Sequence, residues 1–351
     1  MATKEEAKKA LDKVIEKSRI HLYKPIQIAE ILYRARMDNS IDLLDLEQYR
    51  TKSKRWRDEI SLPLLGRVCT SSAKFQDNLF DENAIPPILL NALGKENVRT
   101  GGAVEAYIYN LFFAKHSQLS MALDYCTKST SADFFVKKFI DLFWNEPGLR
   151  RSLDKIYEII VYSLFSTIVE AVHFKVTLSI DAEKMGILEE FDDFASKVMC
   201  IDSRNTAFVQ DAKMYRVGVT NAADRGLDMY SNWGPAIQIK HLCLNVELAE
   251  NIVSGISSDK IVIVCKDAEK DTIFSLLSQI GWRSRIQSIV TESDLIDWYE
   301  KALRGVYASE IGNRLLDVLK YEIAEEFPSV NSFPSVLKER HYERIKDDFW
   351  K

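Results

Sequence analysis

The chain has 351 residues, 46% of them hydrophobic, and a formal net charge of -5 at pH 7. That supplies a sizeable core, at a length suited to about two domains, and excludes a globally disordered chain. The acidic balance excludes a surface that is basic all over and confines any contact with a polyanion to a local basic stripe.

The N-terminus, MATKEEAKKALDKVIEK, lacks the apolar run of a signal peptide. Ala7, Leu11, Val14 and Ile15 recur at helical spacing among lysines and glutamates, which predicts a helix over residues 3–19. Ile26, Ile28, Ile31 and Leu32 predict a second over 25–37, with Pro25 in its first turn. After Pro86-Pro87 and Gly101-Gly102, a third is expected from Ala103 to about Lys115. From Pro147 an apolar helix is predicted to about Val172, through Ile156, Ile159, Ile160, Leu164, Ile168 and Val169, with a shorter one near 183–198. The period then changes from helical to alternating. Tyr215, Val217 and Val219 alternate, as do Ile237 and Ile239, and Ile261-Val262-Ile263-Val264 reads as a strand buried on both faces. A helix near 268–280, a strand near 285–290 and helices near 292–303, 306–326 and 335–347 complete the reading. This order predicts an α/β (α+β mixed) fold: a mixed β-sheet core flanked by helices, with a helical N-terminal region. The change of pattern sets an expected boundary at residue 146, between a mostly helical part (1–146) and a sheet-containing part (147–351).

Cys69, Cys126, Cys200, Cys243 and Cys265 contain no CxxC pair, and the five histidines are equally scattered, so neither a zinc site nor a disulfide framework is expected. No run of about 18 apolar residues occurs. The expectation is a soluble, cytoplasmic protein without a membrane span.

The stretch TNAADRGLDMYSNWGPAIQIKHLCL (220–244) carries the chemistry. Asn232, Gly234 and Pro235 are turn residues between two strand-like segments. On the second segment Gln238 and Lys240 are two apart and share a face, opposite Ile237 and Ile239. A hairpin pairing brings Asp228 beside them. A carboxylate, an amide oxygen and a backbone carbonyl suit Mg2+, a hard cation, and an ammonium suits charge that builds on a phosphorane. By spacing alone the pattern fits an ordinary strand with a polar outward face better than a catalytic cluster. His241 faces away from Lys240 and reads as a structural histidine.

The segment DRGLDMYSNWGPAIQIKHL (224–242) resembles the PD-(D/E)xK nuclease superfamily, in which an aspartate precedes a hairpin strand bearing (D/E/Q)-x-K. With KPIQIAEILYR (24–34), SLPLLGRVCTSSAKFQDNLF (61–80) and GGAVEAYIY (101–109), the chain resembles more narrowly the HaeII-type family of type II restriction endonucleases. The resemblance implies a restriction-endonuclease-like sheet and a catalytic trio of Asp228, Gln238 and Lys240, with Gln238 at the second acidic position. It also implies an Mg2+ cofactor and a double-stranded DNA substrate cut at a six-base palindrome, purine-GCGC-pyrimidine. A homodimer and a cognate DNA methyltransferase in the same system are expected with it. Leu227 stands where the superfamily's name has proline. The neutral amide at 238 removes a negative charge, and Glu170, late on the long helix, is the candidate to restore it, with Asp224 as second choice.

For holding DNA, YRTKSKRWR (49–57) offers Arg50, Lys52, Lys54, Arg55 and Arg57 around Trp56, a run able to contact phosphates and release counterions. Arg283 and Arg285 alternate on a predicted strand and are further candidates. The competing readings are a DNA-repair or structure-specific nuclease of the same fold, and a non-catalytic DNA-binding or interaction protein.

Overall fold

The computed structural model describes residues 2–38, 40–217, 227–268, 285–327, 335–345 and 347–350. Described helices of ten residues or more are numbered α1–α10 here. They are α1 (Lys4–Lys17), α2 (Tyr23–Met37), α3 (Lys52–Leu65), α4 (Pro87–Arg99), α5 (Ala103–Lys128), α6 (Val136–Asn145), α7 (Leu153–Ala171), α8 (Val246–Gly255), α9 (Glu292–Arg304) and α10 (Ala308–Glu326). Capping boxes open α1 and α9: Thr3 with Glu6 and Thr291 with Asp294 each satisfy the other's backbone N–H. Pro87 starts α4 in the one turn where a missing N–H costs nothing. Gly66, at φ 70°, ends α3 in the left-handed conformation.

A five-stranded sheet runs in the order β3 (Met214–Arg216), β4 (Met229–Ser231), β5 (Ala236–Leu244), β6 (Ile261–Ala268), β7 (Ile286–Val290). The β3–β4 and β4–β5 pairs are antiparallel; β5–β6 and β6–β7 are parallel. α8 makes the β5-to-β6 crossover that parallel pairing requires. One sheet face, with Met229, Ile237, Ile239, Val262, Val264 and Val290, packs on α7, α9, α10, α6 and the second half of α5. The other face, with Ala236, Ile261, Ile263 and Cys265, packs on α8. This is a mixed sheet between helical layers, a restriction-endonuclease-like arrangement. A separate antiparallel ribbon, β1 (Lys175–Ser179) with β2 (Ala207–Asp211), leads from α7 into the sheet.

A second large core joins α1–α4 and the first half of α5, and it includes Leu337, Tyr342 and Trp350 from the chain's end. The two cores therefore meet within α5, and the last residues return to the N-terminal core, so packing does not divide the chain at 146. Arg340 explains the return: it bonds both oxygens of buried Glu30 (2.6 and 3.0 Å), while Tyr342 donates to Glu105 (2.8 Å). The same pins interrupt the helix expected over 335–347, leaving Ser335–Lys338 and a 3-10 turn at Tyr342–Arg344.

The helix expected near 183–198 is a chain of short helical pieces, ending in a π-turn over Ala195–Met199. The helix expected over 147–172 begins only at Leu153, after a 3-10 turn. The basic run at 49–57, without an apolar stripe of its own, enters α3. Most of the helix expected near 268–280, and the far end of the strand expected over 215–219, lie outside the described residues.

Candidate active site

β4 is short. It pairs with β5 only through Tyr230↔Ala236 and Met229↔Ile237, and beyond that point the two strands part. The N–H of Ile239 then has no strand partner, and the Asp228 carboxylate takes its place, accepting that N–H through Oδ2 at 2.7 Å. The same oxygen accepts from the Gln238 amide, and the Lys240 ammonium stands 3.8 Å away. Gln238 is buried (2% exposed), whereas the Lys240 side chain is 39% exposed and Asp228 13%. A fork in the sheet thus brings together the three residues that spacing had grouped.

Burial raises the Asp228 carboxyl above the usual carboxylate range, and Lys240 and the Ile239 N–H pull it back. Nearby charges on α7 act on it too. Lys155 favours its ionised form and Asp154 opposes it. Glu158, buried on the same helix, is also raised, first by burial and then by repulsion from Asp228, and its Lys155 partner at 2.5 Å counteracts this. Asp228 and Glu158, both withdrawn from water, thus disfavour each other's charge, and Lys240 and Lys155 offset it.

Asp154 and Glu158 are the α7 carboxylates whose charge is coupled to Asp228, and Glu158 is the buried one. Glu170 is not among them: it lies 12 residues beyond Glu158, about 18 Å along the axis at 1.5 Å per residue, with a side chain 60% exposed and paired to Arg314 of α10. The sequence carried a signal for Glu158, a lone acid inside the apolar run Ile156 to Leu164, where a charge is costly unless something uses it. Asp224 and Arg283 lie outside the described residues. Among the described residues, no three His, Cys, Asp or Glu side chains group as a metal site, so a cation here would count the Gln238 amide among its ligands.

His241, on the face opposite Lys240, is buried against Glu292 at 2.8 Å and packs on Tyr157, a structural role.

The basic residues separate into two kinds. Lys52 and Arg55 stand exposed on α3, Arg55 with Glu59 at 3.2 Å. Arg50 and Lys54 share Asp77 at 3.4 and 2.6 Å. Arg57 is 1% exposed and its donors go to Gln27, Gln76 and Asp58. Its buried guanidinium bridges helices and has no path to a phosphate. Arg285 likewise spends its guanidinium on the carbonyls of Ser258, Val253 and Ile256, closing the C-terminal end of α8. Among the described residues no helix is long and apolar enough to cross a membrane.

Comparison with known proteins meets this geometry from the other side. The model of one protein family, described as HaeII restriction endonuclease, matches residues 7–342. The type II restriction enzyme HaeII of Haemophilus aegyptius is 55% identical over 343 residues, 97% of each chain. The type II restriction enzyme NgoBI of Neisseria gonorrhoeae is 57% identical over 327 residues, 93% of each chain. No solved structure matches significantly. Of the three readings open to the sequence, these matches favour the first: the chain belongs to the HaeII restriction endonuclease family, and its activity class is that of a type II restriction enzyme.

Proposed function

We propose that the chain hydrolyses both strands of double-stranded DNA at the palindrome purine-GCGC-pyrimidine, using Mg2+ held by Asp228, Gln238 and Glu158. One observation carries the reading: Gln238, Lys240 and the Ile239 N–H converge on a single oxygen of Asp228 at an open fork of the sheet. The donor set fits a hard divalent cation, because both carboxylates are withdrawn from water and the third group offers an amide oxygen. Glu158 returns the negative charge that glutamine removes at position 238.

When bound, the ion polarises the phosphate and lowers the pKa of a bound water. Lys240, half in solvent, orients that water or balances the charge that builds on the phosphorane. Asp228 sets the position of both Gln238 and Lys240 through one oxygen and leaves the other for the cation. Lys52 and Arg55 supply phosphate contacts, with Arg50 and Lys54 contributing as Asp77 releases them. A palindromic target is read by a two-fold dimer. A methyltransferase of the same system, with no direct contact implied, protects the host's own copies of the target.

The test is digestion of plasmid by purified protein with magnesium, followed by sequencing of the ends, alongside Asp228→Ala and Lys240→Ala. Wild type should give discrete fragments sharing one motif, and each variant should lose on the order of a thousandfold in rate. Equal cutting by the variants removes these residues from the mechanism; ends without a common motif remove the site-specific reading.

A further inference from the structure

The outer strands of the sheet carry side chains that the reaction above leaves unused. On β3 and β4 the burial alternates. Met214 and Met229 turn into the core on α7, and Arg216 turns to Glu322 and Glu326 of α10. Tyr215 and Tyr230 stand between them, 39% and 44% exposed. They therefore share the opposite face of the sheet, the face of Gln238 and Lys240, whose neighbours Ile237 and Ile239 enter that same core. α8 packs on this face only from β5 onward.

The two tyrosines are direct cross-strand partners, with ring centroids 5.1 Å and planes 20° apart. Among the described residues neither hydroxyl has a hydrogen-bond partner. The ladder runs one step further at the far end. There the Lys213 N–H donates to the Asn232 side chain at 2.8 Å, and the Lys213 carbonyl accepts the Asn232 N–H at 3.1 Å. Lys213 is exposed, two residues before Tyr215 and thus on its face. It has no ion pair among the described residues, since nearby Asp211 is paired with Lys175. At the near end the Val217 N–H donates to the Asp228 carbonyl at 2.9 Å. Asp228 follows two residues before Tyr230, a step of about 6.8 Å at 3.4 Å per residue. Along the strands the face therefore reads cation, two hydroxyls, then Asp228 with Gln238 and Lys240.

Stacking across strands accounts for a tyrosine pair on its own. It does not account for a row with an unpaired cation at one end and the candidate active site at the other. That continuity names the occupant. A DNA strand whose scissile phosphate lies at Asp228 must continue over a neighbouring surface, and this one offers donors and no free carboxylate. Phenolic hydroxyls are ordinary phosphate donors that fix register without reading sequence, and a lysine adds charge.

We propose that Tyr230, Tyr215 and Lys213 form a phosphate track that seats the cleaved strand beside the scissile phosphate, with Tyr230 nearest the cut. The inference rests on the assignment of the reaction to Asp228, Gln238 and Lys240.

Binding in metal-free buffer, to a duplex bearing the motif found at the sequenced ends, tests it apart from catalysis. Tyr230→Phe and Tyr215→Phe keep the stacked rings and remove only the hydroxyls. Each should weaken binding about tenfold, the loss of a hydrogen bond to a charged group, with the thermal midpoint and the salt slope unchanged. Lys213→Ala should lower the salt slope by roughly 0.9. Neutral methylphosphonates, placed singly at the phosphates flanking the cut, locate the contacts. The Tyr230→Phe penalty should vanish at one flanking phosphate, and the Lys213→Ala penalty at one further from the cut on the same side. Phenylalanine variants that bind like wild type overturn the track and reduce the pair to a structural stack. So does a penalty that persists at every position. Neither result touches the catalytic assignment, which Asp228→Ala and Lys240→Ala judge by cleavage.

Discussion

Glu30 and Glu105 in the N-terminal core and Asp228 and Glu158 beside the sheet are all withdrawn from water, but their partners differ. Glu30 receives two arms of Arg340 and the hydroxyl of Tyr109. Glu105 receives two arms of Arg36, the Asn97 amide and the Tyr342 hydroxyl. Both oxygens of each are engaged by rigid, planar or neutral donors. Asp228 concentrates its contacts on Oδ2, and among the described residues Oδ1 accepts nothing; Glu158 has one flexible lysine. A carboxylate whose lone pairs are filled by arginine holds helices together. One met by lysine and left half open keeps capacity for a cation or a substrate.

The largest effect expected from this contrast is on stability. Arg340→Ala leaves Glu30 buried without its cation and should cost about 3–5 kcal/mol, read as a lowered midpoint in urea unfolding. Asp228→Asn should act in the opposite direction. Its folded pKa is raised by burial, so its contribution to stability is fully present below the ordinary value of 3.8 and lost as pH rises through the folded value. In metal-free buffer at neutral pH the asparagine variant should therefore melt on the order of 2 °C above wild type. That gain should shrink as the pH falls toward the ordinary value. A destabilised Asp228→Asn would show that the site is a structural ion cluster like the one around Glu30.

Next in size is the choice between the two acids of α7. Glu158→Gln keeps the shape of the side chain and removes its charge, and should lower the cleavage rate by about a hundredfold, the loss of one well-placed electrostatic group. Glu170→Gln, on an exposed pair with Arg314, should cut at the wild-type rate. The reverse pattern in initial rates of supercoiled plasmid cleavage would restore Glu170 to the site.

These two acids also mark how far the sequence could be read. The grouping of Asp228, Gln238 and Lys240 was legible because it is local: two strands of period two, joined by turn residues, limit which side chains can meet. The mixed sheet was legible for the same reason, from the change of period after residue 200 and the apolar run at 261–264. Glu158 was not, because its nearness to Asp228 is set by how α7 crosses the sheet, a contact across about 70 positions that no local pattern encodes. The fates of Arg57 and Arg285 were equally hidden. Charge alone does not say whether a guanidinium points to solvent or to the carbonyls of a neighbouring helix, and both arginines stabilise the fold where the sequence suggested DNA.

The smallest effect separates the exposed members of the basic run from the committed ones. Lys52→Ala should weaken DNA binding in metal-free buffer and reduce the slope of log affinity against log salt by roughly 0.9, the release of one counterion. Arg50→Ala, Lys54→Ala and Arg55→Ala should change the slope by less, because Asp77 and Glu59 already neutralise part of their charge. Arg57→Ala should leave the slope alone and instead lower the unfolding midpoint, because its guanidinium bonds Gln27 and Gln76 and never reaches a phosphate. If all five substitutions shift the slope equally, α3 must rearrange on DNA to free Arg57. The buried network would then be a latch that DNA opens, not part of the fixed scaffold to which Glu30 and Glu105 belong.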